Sequence, residues 1–208
     1  MARYEGGDHI VLVDMDGVVA DYEERNNEII REHFPDVPIV ENRAEFYFED
    51  TYEQYSGVAD TLYDAIRKPG FFRSFPVVEG AIDGFAHMLE SGIQPVICSS
   101  PAKDHPTVVS EKKGWLEEHF VPVFGWWVLD MAIFDRDKSA YDAFAAIDDR
   151  PTMRNSRWAR WQHVVFSQPY NASVDAKYRL NGWNDPHLDE VLSHARLDYL
   201  DKKYQGRS

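Results

Sequence analysis

Cysteine is almost absent from this chain: one residue, Cys98, stands among 208. An internal disulfide is therefore impossible, and the expected location is the reducing cytoplasm. Cations are also scarce. The 22 Lys and Arg are outnumbered by 36 Asp and Glu, for a formal charge of −14. A surface of that sign repels nucleic-acid backbones and anionic membranes, which argues against a polymeric nucleic acid or a membrane as partner. No apolar run is long enough for a membrane span, and the opening MARYEGGDHIVLVD has too short an apolar stretch for an export signal. None of the eight histidines forms a metal spacing of the His-x-x-x-His kind. The six tryptophans scatter in a way that suggests packing rather than ligand binding.

What remains is a well-supplied core. Residues are 44% hydrophobic and 14% aromatic, in a length that suits one domain plus a small insertion. Short apolar runs at His9–Val13, Gln94–Cys98, Met131–Phe134, Phe144–Ile147 and Gln162–Phe166 read as buried parallel strands. Cys98 falls in the second and reads as core. Between the strands, Ile82, Phe85 and Leu89 share one helical face, as do Val109, Leu116 and Phe120. Strands alternating with helices predict an α/β fold with a doubly wound parallel sheet. Residues 21–76 break the alternation with helical stretches, prolines and aromatics but no strand, which predicts a small helical cap inserted after the first strand. The core is then 1–20 and 77–208. The cap would stand over the carboxyl edge where open α/β sheets bind ligands. The polar tail from Asp198 to Ser208 is expected to fray.

Each expected strand ends in polar residues. The first runs into Asp14-Met15-Asp16-Gly17, two carboxylates on a chain that a glycine allows to turn sharply. Such a loop can aim both at one ligand, one as nucleophile and one as proton carrier, with amides toward a phosphate. A solvated acidic turn is the alternative for this motif alone. The second strand ends in Ser99-Ser100-Pro101, whose hydroxyls and amides can hold phosphate oxygens or form an ordinary turn. The third is followed by Asp135-Arg136-Asp137-Lys138, which offers a fixed cation or a surface lysine. The fourth ends in Asp148-Asp149. Adjacent carboxylates at a strand end suit a hard metal between them, although a solvated loop would also accommodate them.

Taken in order, Asp14-x-Asp16-Gly17, Ser99, Lys138 and Asp148-Asp149 resemble the haloacid dehalogenase superfamily. Within it, Asp14–Asp21, Pro69-Gly70-Phe71-Phe72, Ile97–Pro101, Glu111-Lys112-x-x-Trp115, Arg136-Asp137-Lys138 and Ile147–Pro151 are similar to the 5′(3′)-deoxyribonucleotidase family. The resemblance implies a Rossmann-like core, a small helical cap and a magnesium-dependent phosphatase acting on nucleoside monophosphates. It makes Asp14 the nucleophile and Asp16 the acid and base. Mg2+ would be held by Asp14, the Asp16 carbonyl and Asp149, with Asp148 in support. Ser99, Ser100 and Lys138 would hold the phosphate, Lys112 being the rival lysine ranked second.

Phe46, Tyr47 and Phe72 match family positions near the base; Arg136 is a candidate for a base or phosphate edge, with a surface ion pair to Asp135 or Asp137 as the alternative. Where the family has Phe-Trp this chain has Phe46-Tyr47, which alters the stacking surface, and Ser99 stands for a threonine. A sugar-phosphate phosphatase of the same superfamily is the alternative. A phospho-accepting receiver module is rejected by the order of its acidic motifs. The expected partner is a small nucleotide, with a homodimer as the candidate assembly.

Overall fold

A computed structural model describes residues 4–103 and 105–205. Six strands form one parallel sheet: β1 (Gly7–Val13), β2 (Gln94–Ser99), β3 (Ile133–Phe134), β4 (Ala143–Asp148), β5 (Gln162–Phe166) and β6 (Tyr178–Leu180). Their spatial order is β3-β2-β1-β4-β5-β6. The first five lie on the expected apolar runs. The sixth has no such run, because Tyr178-Arg179-Leu180 is a three-residue edge strand covered on one side only.

Strand alternation divides the core in two. Val11 and Val13 point to a large cluster that includes Phe85 of α3 (Ala81–Glu90), Trp115 of α4 (Val108–His119) and Leu192 of α5 (Leu188–Gln205). Ile10 and Leu12 point the other way, to Val96, Cys98, Met153 and Trp161. Among the described residues the long helices crowd the first face. Short segments around Met131, Tyr141 and Ala159 close the second. The tail expected to fray is helical as far as Gln205, since Tyr199 is buried in the larger cluster and anchors α5; residues 206–208 lie outside the described residues.

Residues 21–76 hold α1 (Tyr22–His33), a 3-10 turn at Glu49–Tyr52 and α2 (Val58–Arg67), with no strand among them. The segment leaves and rejoins the core at one place. The Asp21 amide donates to the Pro76 carbonyl at 2.8 Å, and the Val78 amide donates to the Val19 carbonyl at 2.9 Å. Two buried tryptophans fasten that junction: Trp115 Nε1 donates to the Phe75 carbonyl at 2.8 Å, and Trp183 Nε1 to the Val18 carbonyl at 2.7 Å. The other four tryptophans divide, with Trp161 buried, Trp127 half-buried and Trp126 and Trp158 exposed. No helix among the described residues is long and apolar enough to cross a membrane. Because β2 and β4 flank β1 on opposite sides, the chain order reverses at its carboxyl end. A crevice is expected there.

Candidate active site

The crevice is a cleft of about 660 Å³ over the carboxyl ends of the strands. Asp14 follows β1 directly, with its amide bonded to the Ile147 carbonyl at 2.9 Å. The next residues wind into a tight loop in which Gly17 adopts φ +76°, and a Cβ there would meet Asp149 Oδ2 at 2.6 Å. Glycine is therefore required twice over, for the left-handed backbone and for the close approach. This loop brings Asp14 and Asp16, two residues apart, to the cleft floor with Ser99, Ser100 and Asp149.

Two buried lysines support the floor from behind. Lys138 Nζ lies 2.7 Å from Asp14 Oδ1 and 2.6 Å from Asp148 Oδ2. Lys112, fully buried on α4, donates to Asp16 Oδ2 at 2.5 Å and to Ser99 Oγ at 2.8 Å. Neither lysine lines the cleft. The lysine ranked first from the sequence thus grips Asp14 and Asp148, whereas its rival contacts Ser99 and Asp16. In sequence both could occupy the same role; only the way α4 turns Lys112 onto Ser99 and Asp16 separates them.

Burial and the neighbouring charges together set the titration of the group. Burial pushes Asp14 above the usual carboxylate range against the opposing pull of Lys138. Burial likewise raises Asp149, well above its ordinary value, with the nearby charges of Asp148 and Asp14 adding to the effect. Asp148 is also desolvated, yet Lys138 and the Arg150 amide overcome burial and hold it low. Lys138 stays raised because its two carboxylates outweigh its own desolvation.

Carboxylate oxygens of Asp14, Asp148 and Asp149 come within 4.8 Å of one another. With Asp16 there are four carboxylates to two lysines, a formal sum of 2 − 4 = −2. An all-oxygen set with that deficit fits a hard divalent cation. Both Asp148 oxygens are engaged, one by Lys138 and one by the Arg150 amide at 3.0 Å, so Asp148 braces the cluster. Asp14 and Asp149 retain free donor capacity.

The walls are aromatic. Phe46, Tyr47 and Phe72 all line the cleft, Tyr47 being largely solvent-exposed. Phe72 is clamped from α4, where Glu111 Oε2 accepts its amide at 3.0 Å. Arg136 is exposed and does not reach the cleft. Arg150 does, with its guanidinium 5.6 Å from the Phe46 ring centre.

Two further lining residues carried no expectation: Arg43, which is buried in the 21–76 segment, and Tyr170, whose hydroxyl donates to Asp149 Oδ2. Burial and the adjacent Asp149 raise the Tyr170 hydroxyl, so it remains a donor. Its position four residues after β5, the next strand-end loop in the series, is a signal that was available in the sequence. Arg43 sits in an irregular loop with no comparable signal.

The model of the family "5' nucleotidase, deoxy (Pyrimidine), cytosolic type C protein" matches residues 8–197. A Bordetella pertussis relative is 34% identical over 178 residues, covering 84% of this chain and 92% of that one. The human cytosolic-type 5′(3′)-deoxyribonucleotidase is 33% identical over 194 residues, covering 89% of this chain and 94% of its own. Among solved structures, the HAD-hydrolase YfnB from Bacillus subtilis bound to magnesium aligns with a TM-score of 0.52 at 13% identity, over 93% of this chain and 99% of that chain, a likeness of fold. The chain belongs to the 5′ nucleotidase, deoxy (pyrimidine), cytosolic type C family, built on a Rossmann-like haloacid dehalogenase core.

Proposed function

We propose that this protein is a cytoplasmic, magnesium-dependent phosphatase that hydrolyses deoxyribonucleoside monophosphates to nucleoside and phosphate through an aspartyl-phosphate on Asp14. The observation that carries this reading is the pairing of Asp14 and Asp16 on one cleft floor, each gripped by its own buried lysine. Ionised Asp14, aimed by Lys138, attacks phosphorus with a carboxylate oxygen, and the bond to the nucleoside oxygen breaks. Asp16 gives that oxygen a proton. It then takes one from the water that attacks the acyl phosphate, regenerating Asp14 and releasing phosphate.

The two oxygens of Asp16 divide this work. Oδ2 is held by Lys112, and Oδ1 is buried without a hydrogen-bond partner, so we assign proton transfer to Oδ1. Ser99 and Ser100 hold non-bridging phosphate oxygens. Lys112 and Lys138 act through the residues they position. Asp14, Asp149 and the Asp16 carbonyl, with Asp148 as brace, would hold Mg2+, which would supply charge neutralisation for the incoming phosphate.

Residues 21–76 serve as the cap in this reading. Phe46, Tyr47 and Phe72 present flat and edge surfaces to a base, with Arg150 beside Phe46. The test is phosphate release from 5′- and 3′-nucleoside monophosphates and from sugar phosphates, with magnesium or chelator. Wild type is expected to act on nucleotides only with magnesium, and Asp14→Asn to lose at least about 10³-fold in kcat. Activity confined to sugar phosphates would sink the reading of the aromatic wall while leaving the floor intact.

A further inference from the structure

The aromatic wall and the carboxylate cluster are physically joined through one side chain. Tyr170 leaves the loop after β5, is buried, and donates its hydroxyl to Asp149 Oδ2. The buried Arg43 guanidinium lies over its ring, 4.1 Å from the centre. The Phe46 ring meets it edge-on at 5.3 Å. Arg43 is itself fixed, because Nε donates to Glu23 Oε2 at 3.1 Å and Nη1 donates to the Phe46 carbonyl at 2.8 Å. A continuous series of contacts therefore runs from α1 and the 43–47 loop, through Tyr170, to a carboxylate of the cation cluster.

We propose that Tyr170 is a positioning residue that aims Asp149 at the divalent cation, and that Arg43 reaches the cation site through it. The inference rests on the reading of Asp149 as a cation ligand. The hydroxyl occupies Oδ2 and leaves Oδ1 as the donor oxygen. A Cβ at residue 17 would fall 2.6 Å from the same Oδ2, so only a glycine in the opposite loop leaves the carboxylate its place beside the Tyr170 hydroxyl. Without the hydroxyl, Asp149 would be free to rotate away, and a ligand must then be ordered again each time the cation binds. Outer partners of this kind typically alter metal affinity by about 10- to 100-fold. Arg43 has no contact with a cluster carboxylate; its route is the face of the Tyr170 ring, held by a cation–π contact.

The experiment is calorimetric titration of Mg2+ alone into the chelator-treated full chain, for wild type, Tyr170→Phe, Arg43→Gln and the double variant. Tyr170→Phe is expected to weaken Mg2+ binding by about tenfold or more. Arg43→Gln should weaken it several-fold by itself and add less than about twofold on the Tyr170→Phe background, the signature of residues acting in one line. The metal-free melting temperature is expected to stay near wild type in Tyr170→Phe, which separates aiming from bulk destabilisation.

Mg2+ affinity of Tyr170→Phe within about twofold of wild type overturns the aiming role, and effects that multiply in the double variant overturn the route through Tyr170. If Tyr170→Phe does not fold, Arg43→Gln decides by itself: unchanged Mg2+ affinity refutes the coupling. Wild-type phosphate release from nucleotides is measured in parallel. A chain inactive on nucleotides whose Mg2+ affinities behave as stated leaves the coupling standing and removes the substrate assignment.

Discussion

Lys138→Met is the most informative single change, because it deletes a charge and little else. The ammonium lies between Asp14 and Asp148 at 2.7 and 2.6 Å, and all three side chains are buried. Methionine keeps most of the volume. The backbone carbonyl of residue 138 still accepts Trp161 Nε1 at 3.0 Å, so the local fold keeps its anchor. The sum over four carboxylates and two lysines moves from −2 to −3, since 1 − 4 = −3. Removing one partner from a buried ion pair strands its counter-charge and typically costs about 3–5 kcal/mol.

For a chain of this size each kcal/mol shifts the melting temperature by roughly 2–4 °C, so the chelated variant should melt about 6–20 °C below wild type. Adding magnesium should narrow the gap, because a cation among Asp14 and Asp149 replaces part of the lost charge. Changing Asp148→Asn in the same chain should also recover stability, since it removes one stranded carboxylate. Scanning calorimetry with chelator and with magnesium measures all of these. Melting of chelated Lys138→Met within about 2 °C of wild type would refute the claim that this lysine holds the cluster together.

A pH series tests the same electrostatics from the other side. Burial, first of all, raises both Asp14 and Asp149. Their contribution to stability is therefore complete below the unfolded carboxylate value of about 4 and is lost as pH rises through the folded values. The metal-free chain should lose melting temperature over that rise, and the gain on adding magnesium should grow as protons cease to compete for the ligands. A magnesium gain that shrinks toward neutral pH contradicts this account. Gly17→Ala, at φ +76° and with its new Cβ 2.6 Å from Asp149 Oδ2, should cost about 1–3 kcal/mol in urea unfolding and weaken magnesium binding. Wild-type behaviour in both assays removes the steric argument.

The parallel core was legible because its strands are buried on both faces. Val11–Val13, Val96–Cys98 and Ala145–Ile147 are continuous apolar runs, and each is followed by the residues that a strand end can present. β6 was not legible, because a short edge strand needs no apolar run. Order along the chain also sufficed to group Asp14, Asp16, Ser99, Asp148 and Asp149, since parallel strands deliver all their carboxyl ends to one edge. Sequence position could not tell Lys112 from Lys138. Which residue an ammonium reaches depends on how a helix is rotated against the sheet, and α4 turns Lys112 inward onto Ser99 and Asp16.

Arg136 and Arg150 show the same division. Each follows a strand end closely, but Arg136 is exposed while Arg150 lines the cleft beside Phe46. The contact of Arg43 with Tyr170 joins residues 127 positions apart, 170 − 43, through an irregular loop that carries no periodic signal. Local chemistry and strand order thus determined which residues gather at the floor. Side-chain reach across the closed fold decided which of them touch, and therefore which carboxylate oxygens are held by lysine and which are left without a partner.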